Sequence, residues 1–591
     1  MNIISKLILI CSLLLFGRGD MLGQSDVITP YNKTNSPLET IYIDYNSSFL
    51  LTGEYLYYSV FCLNRRSQTY SNYSTISYVK LIGSTGNVIF HHKLSLDNGR
   101  AQGDFFIPTS IPSGNYKLLG YTRLMRNGEQ SDYFQADLTI VNPYTNDQKI
   151  LMKEIKDSIN SKHSVKRKLG VFDNQKEVTS INMSINKFNF KKREKIRLTI
   201  RNQKPSIGNG SYSLSVRKLY KLKASNRPSA KEFADQYLHD NTASNEDYVV
   251  MILPEIRGEL YSGKVVATDP KMGVAQIRIA ISVPGKDYIF KVVTTNSKGQ
   301  FYFTLNESYE GDEAILQLLE DNDKYTILMD TPKPLDVSKI SFNKFRLEEE
   351  IKPVLVERSI HNQIENNYFS FMPDSIKVPE KRSSFYGFTG MEYDLDNYTR
   401  FSTVRETIVE ILQGVWIKKT GNGEEQIQVR PNDPDKELSG FEPLIIIDGF
   451  RVKKQDELLN MDAGRVAKIQ VIRDKYILGP QVFQGVLDIV TFEGKLWKNL
   501  VEAETLRHKL FKPLPKKFYF KQKYDLESLD ATARIPDFRH QIYWNPLVQV
   551  HEESLELEFY TSDVLGDFEI RLEGFTNSGE PVSIIKSIRV N

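Results

Sequence analysis

The chain of 591 residues carries 77 Lys and Arg against 74 Asp and Glu, which gives a formal net charge of +3 at pH 7. This near balance lacks the basic surplus typical of nucleic-acid-binding proteins, so we expect no nucleic-acid partner. Hydrophobic residues make up 40% and aromatic residues 11% of the chain, enough for several folded domains of roughly 150 residues each.

The N-terminus has the pattern of an export signal. Lys6 supplies a positive charge, and the apolar run of residues 7–16 is too short to span a bilayer, which requires roughly 20 apolar residues. The small residue Gly23 suits a cleavage site, so residues 1–24 predict a cleaved signal. We expect an exported protein of the periplasm, the outer membrane or the cell surface, with no transmembrane helix in the mature chain.

Cysteine usage excludes an intramolecular disulfide after export. One of the two cysteines, Cys11, lies within the predicted signal. Only Cys62 is then left, directly after the apolar and aromatic segment 57–61. A single Cys in such a segment is more often a small buried hydrophobe than a nucleophile. The hydrophobic cores must therefore stabilise the mature chain without a disulfide.

The segment from residue 38 to 145 alternates apolar and polar residues with period two, broken by Asn, Gly and Pro. Short strands at this spacing predict a two-sheet β-sandwich, which we assign to residues 25–145. The predicted strands are residues 40–45, 55–63, 77–82, 88–94, 103–107, 114–125 and 137–141. The sequence of residues 41–44, 51–54, 104–108, 111–116 and 120–122 resembles the macroglobulin-like domain of exported Bacteroidetes-type envelope proteins.

Further β segments follow a lysine-rich linker at residues 146–170. Alternation at 181–185, 195–201 and 211–218 predicts a second sandwich at 165–225, and residues 224–247 have helical spacing.

Residues 255–325 resemble the carboxypeptidase-regulatory-like sandwich, with a turn at residues 296–299 between two strands. The resemblance implies no peptidase, since that module lacks the zinc site. A connector with one helix at 347–367 is predicted for residues 326–394.

Residues 395–495 predict a small α+β unit. Thr403 and Glu406 form a capping box ahead of an amphipathic helix, and the apolar strand 444–447 should be buried on both faces. An alternating strand at 466–473 and a last strand at 486–492 follow.

This arrangement resembles the plug domain of TonB-dependent outer-membrane receptors. The resemblance implies an interaction surface, and the residues we assign to it are Asp448, Gly449, Arg473, Gly479 and Gly485. The chain departs from that family because a receptor barrel of about 22 strands needs roughly 220 further residues. Far fewer follow, and residues 496–591 predict either another small sandwich or strands that complete an earlier one. The fold class expected is thus mainly β, with serial Ig-like or macroglobulin-like sandwiches and one plug-like α+β domain.

The motifs of common catalytic and metal sites are missing from the sequence. The eight histidines are dispersed, and there is no HExxH, paired CxxC, EF-hand loop, GxSxG, Walker or GxGxxG motif. Asp433, Asp435 and Asp448 are better explained by a solvated loop or a turn than by catalysis. We therefore expect no enzyme, no metal and no cofactor.

Two functions stay open. The first is a non-catalytic adaptor or accessory subunit that docks through its plug-like domain on an outer-membrane β-barrel or an envelope transport complex. The alternative is an adhesin or ligand-binding protein whose exposed aromatic residues stack on a glycan or a peptide. The aromatic residues considered for that role are Tyr70, Tyr73, Tyr543 and Trp544. A macroglobulin-type protease trap is disfavoured because it needs a thioester Cys-Gly segment, and Cys62 is followed by Leu63.

Overall fold

The chain is mainly β, in agreement with the fold class expected from the sequence. The computed structural model describes residues 38–145, 151, 180–204, 208–220, 222, 225–238, 252–320, 323–343, 345–378, 386–387, 390–421, 423–433, 441–502, 505–524 and 534–591. The predicted export signal, Asp435 and all of the predicted linker except Leu151 lie outside these residues. Within the described ranges, no helix combines the length and the apolar character needed to cross a membrane.

Contacts divide the described residues into two compact units. The first unit holds the described residues of Lys33–Glu259, Lys333–Val378 and Lys512–Asn591. The second unit holds those of Leu260–Pro332 and Pro379–Phe511.

The first sandwich, in the first unit, confirms the strand pattern of residues 38–145. One sheet contains strands Glu39–Tyr45, Tyr55–Asn64, Thr69–Tyr70 and Arg100–Phe106. The other contains strands Phe49–Leu51, Ile76–Gly83, Val88–Ser95, Gly114–Tyr121 and Phe134–Val141. Apolar side chains of both sheets, such as Ile41 and Leu118, are fully buried between them. Cys62 is also buried, as predicted, and burial raises the pKa of its thiol well above the ordinary value.

One predicted strand of this sandwich, 114–125, is too long. The strand ends at Tyr121, and a 3-10 helix follows at Leu124–Asn127. The Thr122 hydroxyl accepts a hydrogen bond from the backbone N–H of Met125 at 3.3 Å. Such a local side-chain bond competes with the sheet ladder and turns the backbone out of it.

The second sandwich joins two distant parts of the chain. Strand Gly210–Lys218 lies between strands Gln541–Val550 and Gly566–Thr576 and pairs with both. That sheet also contains Asn189–Phe190 and Pro581–Val590, and the facing sheet contains Ile181–Ile185, Lys195–Asn202 and Ser554–Tyr560. The C-terminal strands therefore complete an earlier sandwich, which is the second of the two arrangements considered for them.

The first unit also contains a helix of sixteen residues, Lys352–Asn367, here called the long helix. The sequence placed its start at residue 347, but a 3-10 helix, Glu349–Ile351, precedes it. Pro353 lies in the first turn, where its missing N–H leaves no hydrogen bond unmade. The remaining elements of this unit are helix Ala230–Phe233, the π-helical turn Ala234–Leu238, the 3-10 helices Gln130–Asp132, Val337–Lys339 and Phe369–Phe371, and the strand pair Ser375–Ile376 and Lys517–Phe518.

The third sandwich belongs to the second unit. Its sheets contain strands Glu259–Ala267, Gln300–Leu305 and Tyr325–Met329, and strands Arg278–Val283, Ile289–Thr294, Glu313–Leu318 and Leu506–Lys509. The predicted turn at residues 296–299 is present. Gly299 has a φ of +76° and donates its N–H to the carbonyl of Asn296 at 2.9 Å.

The α+β body, residues 391–499, completes the second unit. Its five-stranded mixed sheet contains Met391–Asp394, Val466–Leu478, Gln481–Thr491, Leu444–Ile447 and Phe450–Arg451. A separate hairpin, Val415–Lys419 with Glu425–Val429, the α-helices Val404–Ile411 and Gln455–Leu459 and the 3-10 helices Leu395–Asn397, Ala463–Arg465 and Leu496–Asn499 surround it. The predicted capping box of Thr403 and Glu406 is present, with both reciprocal hydrogen bonds.

The apolar strand Leu444–Ile447 confirms the prediction of burial on both faces. Ile445 and Ile447 pack into the core beneath the helices of the α+β body. Leu444 and Ile446 pack into a second core that includes Phe290 of the third sandwich. A strand with apolar residues at every position therefore joins two hydrophobic cores.

Candidate functional site

A cavity of about 150 Å³ lies in the first unit, where the first sandwich, the second sandwich and the long helix meet. The wall of the cavity is formed by the first residues of strands Tyr55–Asn64 and Gln541–Val550, by the long helix, and by residues 519 and 520. The residues that line this aromatic cavity are Gly53, Glu54, Tyr55, Tyr57, Arg217, Asn362, Glu365, Asn366, Phe369, Met372, Asp374, Tyr519, Phe520, Phe538, Arg539, His540, Gln541, Ile542, Tyr543 and Trp544.

A buried ion cluster fixes one side of the cavity. Arg358 donates from Nε and from a terminal guanidinium nitrogen to the two carboxylate oxygens of Glu54, each at 2.6 Å. Arg217 of the second sandwich donates to the same carboxylate at 3.0 Å. Burial alone would raise the pKa of Glu54, but the two guanidinium groups hold it well below its ordinary value. Glu54 is therefore ionised and joins three elements of the fold.

The long helix presents one face to this cluster. Residues 358, 362, 365 and 366 follow the helical spacing of three and four and so share a face. Asn362 donates to Glu54 at 3.2 Å, and Asn366 donates to the carbonyl of Gly53 at 2.9 Å. Gly53 has a φ of +90°, so the turn that places Glu54 here depends on glycine.

Aromatic rings form the opposite wall. Tyr57 stacks on Tyr55 with ring centroids 5.5 Å apart and on Trp544 at 5.9 Å. The edge of Tyr519 meets the Tyr57 ring at 5.2 Å, and Phe369 stacks on Tyr55 at 5.9 Å. Five rings from four chain segments thus form this part of the cavity wall.

The expectation that Tyr543 and Trp544 are exposed is wrong. Each side chain is 4% exposed, although strand Gln541–Val550 lies at the edge of its sheet. Successive strand residues point to opposite faces, and here both faces are covered: Tyr543 packs into the core of the second sandwich and Trp544 stacks on Tyr57. The indole N–H of Trp544 is buried and has no hydrogen-bond partner among the described residues. Of the other two aromatic residues considered, Tyr70 is half-buried and donates its hydroxyl to the Phe575 carbonyl, and Tyr73 is exposed.

Two histidines lie close together at the cavity, and one of them, His540, lines its wall. The Nδ1 of His361 lies 3.0 Å from the Nε2 of His540, and Tyr220 hydrogen-bonds the other ring nitrogen of His540. Burial lowers the pKa of both imidazoles, most strongly that of His540. At neutral pH these rings are uncharged and add no positive charge to the cavity.

Two carboxyl groups of the wall are bonded only to backbone amides. Phe538 donates its N–H to Glu365 at 2.5 Å, and Phe520 donates its N–H to Asp374 at 2.9 Å. Burial raises the pKa of Glu365 to about 7, and repulsion from Asp537 adds to this shift. Burial also raises the pKa of Asp374.

The sequence-predicted site lies elsewhere, in the α+β body, and its residues have intramolecular contacts. Asp448 is 1% exposed and accepts hydrogen bonds from the backbone N–H and hydroxyl of Thr491, both at 2.8 Å, and from the N–H of Leu496 at 3.1 Å. Burial raises the pKa of Asp448. Its carboxylate stabilises the turn that follows the buried strand.

Two glycines of that site lie against the third sandwich. A Cβ on Gly449, where φ is +82°, would stand 2.3 Å from the Cβ of Tyr288. Gly479 has a φ of +55° in the two-residue connection between strands Val466–Leu478 and Gln481–Thr491. A Cβ there would stand 2.9 Å from the carbonyl oxygen of Val292. Both positions therefore allow a close approach of backbone to neighbouring groups.

The last two predicted residues lie on one long hairpin. Arg473 donates to the carbonyls of Arg430 and Pro431 at 2.9 and 3.2 Å. Gly485 has a φ of +85° at an irregularity of the strand pairing. The hairpin extends beyond the predicted ends of its strands, which were 466–473 and 486–492. The interaction surface that these five residues were assigned to stays a prediction.

Sequence reasoning missed a buried acid between the third sandwich and the α+β body. Asp488 is fully buried and accepts hydrogen bonds from the hydroxyls of Tyr288 at 2.5 Å and Tyr386 at 2.6 Å. Its second carboxylate oxygen has no partner among the described residues. Burial raises the pKa of Asp488 to about 6. A lone acid within the apolar run of residues 486–490 was the signal that could have found it.

No group of three or more His, Cys, Asp or Glu side chains that could hold a metal ion occurs in the part of the chain that the structure describes.

Comparisons with known proteins identify no family for this chain. No protein-family profile and no curated protein matches it. Among solved structures, a Salmonella alpha-2-macroglobulin reacted with methylamine matches with 8% identity and a TM-score of 0.23, over 96% of this chain and 40% of that chain. An Escherichia coli alpha-2-macroglobulin activated by porcine elastase matches with 8% identity and a TM-score of 0.24, over 94% of this chain and 44% of that chain.

An Escherichia coli adhesin matches with 8% identity and a TM-score of 0.15, over 50% of this chain and 65% of that chain. The chain spans less than half the length of the two alpha-2-macroglobulins. At these identities and TM-scores, the matches carry no argument about function.

Proposed function

We propose that this chain is an exported, non-catalytic binding protein of the cell envelope that holds a ligand in its aromatic cavity. The observation that carries the proposal is a cavity of about 150 Å³ walled by the stacked rings of Tyr55, Tyr57 and Trp544. Ligand sites are typically concave and aromatic, with a few polar groups that fix orientation. Here Glu365 and Asp374 supply those polar groups.

Hydrogen bonds and strand pairing hold the residues of the cavity wall in place, which favours a preformed binding site. The Glu54 cluster fixes the long helix, and the rings come from paired strands and the segment that follows the helix. A preformed site loses little conformational entropy when a ligand binds. The buried, unpartnered N–H of Trp544 marks the same wall as a place where hydrogen-bonding capacity is unused.

Calorimetric titration of the purified chain with methyl glycosides, N-acetylated sugars and short peptides tests this function. We expect saturable binding of one class at one site per chain. Tyr57→Ala removes the ring that contacts both Tyr55 and Trp544 and should weaken binding about tenfold or more. Tyr73→Ala makes the same change outside the cavity and should leave the affinity unchanged.

Three outcomes would overturn the proposal. One is that no class of the panel binds. Another is that Tyr57→Ala, shown to be folded by circular dichroism, binds as the wild type does. Chemical turnover of a bound ligand would refute the non-catalytic part.

The adaptor function is a second candidate, favoured by apolar side chains on the surface of the α+β body. Val409 of helix Val404–Ile411 is 62% exposed, and Trp416 of the following hairpin is 37% exposed. Exposed apolar groups on a domain that resembles a receptor plug suit an outer-membrane β-barrel partner. Co-purification of a barrel protein with the wild type but not with a Val409→Ser, Trp416→Ser variant would support it. Equal recovery with both proteins would count against this surface.

A further inference from the structure

The guanidinium groups at the cavity wall are already paired. Arg217 donates to Glu54, and Arg539 donates from Nε and a terminal nitrogen to the two oxygens of Asp537 at 2.7 and 2.6 Å. The second pair is nearly buried, with both side chains at or below 12% exposure. Neither guanidinium group is therefore free to bind an anionic ligand.

The carboxyl groups of Glu365 and Asp374 differ from these pairs. Their hydrogen bonds come from backbone amides, and neither forms an ion pair with a described residue. The charges of Arg539 and Lys517 act on Glu365 and Asp374, respectively, without forming an ion pair, so a positively charged ligand in direct contact would further stabilise the ionised carboxylates. These two carboxyl groups therefore favour a positively charged ligand in the cavity.

The aromatic rings of the wall also favour a positively charged ligand. The faces of Tyr and Trp rings carry negative electrostatic potential, which attracts cations within about 6 Å of the ring centroid. In this wall Tyr57 stacks on both Tyr55 and Trp544, and Tyr519 adds a fourth ring in edge contact with Tyr57. Aromatic cages with nearby carboxylates are a known chemical solution for binding ammonium groups.

The size of the cavity limits what enters it. Pockets that enclose a whole drug-sized molecule have volumes of roughly 300–1,000 Å³. At about 150 Å³, this cavity holds a group the size of a side-chain end or a quaternary ammonium. The rest of a larger ligand would lie at the mouth, where Phe369 is 44% exposed.

We infer that the aromatic cavity binds an organic cation, an ammonium or guanidinium group with the rings of Tyr57 and Trp544 on one side and the carboxylates of Glu365 and Asp374 on the other. The inference rests on the proposed function and names the chemical class of its ligand. A basic side chain of a peptide and a free quaternary amine share this chemistry.

Acidification should weaken binding. The charged groups that act on Glu365 are Asp537, Arg539 and Asp563, and together with burial they leave its pKa at about 7 in the free protein. A cation binds the ionised carboxylate, so the proton competes with the ligand below that pH. We expect the affinity for a permanently charged ligand to fall about tenfold or more between pH 8.5 and pH 5.5.

Matched ligand pairs test the inference on the full chain by calorimetry. Choline is compared with its neutral carbon isostere 3,3-dimethylbutan-1-ol, and N-acetyl-arginine methylamide with N-acetyl-citrulline methylamide, in which a neutral urea replaces the guanidinium group. Methyl glucoside is the neutral sugar. We expect one cation to bind about tenfold or more tightly than its isostere at pH 8, and the preferred cation distinguishes a quaternary amine from a peptide side chain.

Conservative variants separate charge from packing. Glu365→Gln and Asp374→Asn should each reduce the preference for the cation over its isostere, whereas Glu552→Gln alters an exposed acid of the same unit and should not. Equal binding of cation and isostere, or binding of the sugar alone, would overturn the inference and leave the proposed function standing. Failure of every probe to bind would overturn both.

Discussion

Glu54 of the first unit and Asp488 of the second unit are buried carboxylates whose pKa values are shifted in opposite directions. In the first unit, Glu54 is surrounded by the guanidinium groups of Arg358 and Arg217, which hold its pKa well below the ordinary value despite burial. In the second unit, Asp488 has two tyrosine hydroxyls as its hydrogen-bond donors, and burial raises its pKa to about 6. The first acid is a charged link between elements, and the second is close to neutral in mildly acid solution.

The two acids also have different structural roles. Glu54 belongs to an ion cluster that supports the candidate site, whereas Asp488 makes polar contacts within a hydrophobic core. Arg358 on the long helix and Arg217 on a distant strand must both reach Glu54, so the cluster fixes the geometry of the aromatic cavity. Asp488 joins the third sandwich to the α+β body through hydroxyl groups that carry no charge. Variants should therefore affect the two acids with different magnitudes and different pH dependence.

The largest effect is expected at the ion cluster. Glu54→Gln leaves the buried guanidinium groups of Arg358 and Arg217 without their shared carboxylate and should destabilise the first unit by about 3–5 kcal/mol at pH 7. Local opening free energies from hydrogen exchange, followed by mass spectrometry on peptides of the long helix, measure this loss. The double variant Glu54→Gln, Arg358→Met leaves one guanidinium group, that of Arg217, without a carboxylate instead of two and should be less destabilised. A double variant no more stable than the single one would show that lost packing, not the stranded charge, dominates.

A smaller effect is expected where the α+β body lies against the third sandwich. Gly449→Ala places a Cβ 2.3 Å from that of Tyr288 at a φ of +82°. Backbone strain and overpacking together should cost about 2–4 kcal/mol in thermal or denaturant unfolding of the second unit.

The matched control is Gly423→Ala, since Gly423 has a φ of +83° and no atom within 4 Å of the added Cβ. The Gly423→Ala variant should show the effect of backbone strain alone, a loss of about 1–2 kcal/mol in the free energy of unfolding. Equal losses in the two variants would mean that the sandwich and the α+β body separate easily at this point.

The smallest effect is a pH dependence at Asp488. Because its folded-state pKa of about 6 exceeds its ordinary value of 3.8, the folded state holds the extra proton between these values. Stability therefore falls as the pH rises through this window, whereas below about pH 4 both the folded and the unfolded state hold the proton and no stability is lost.

Asp488→Asn removes this titration. From pH 4 to pH 8, the unfolding free energy of the variant should gain about 1–3 kcal/mol relative to the wild type. A difference between the two proteins that is constant across this pH range would contradict the raised pKa.

Local patterns predicted many individual elements correctly. The capping box at Thr403, the turn ending at Gly299 and the burial of strand Leu444–Ile447 all depend on residues close in sequence. The C-terminal strands could not be assigned in the same way, because strand Gly210–Lys218 pairs with residues more than 300 positions away. Alternation shows which face of a strand is apolar and says nothing about its neighbour in the sheet.

The sequence by itself determined that this protein is mainly β, that its domains are sandwiches with one α+β body, and that Cys62 is buried, since apolar periodicity and turn residues act locally. Only the tertiary structure decided the aromatic cavity. Its residues come from positions 53–57, 217, 362–374 and 519–544, and only folding brings their charges and rings together. A pKa shift or a ring stack depends on distance in space, which no spacing along the chain encodes.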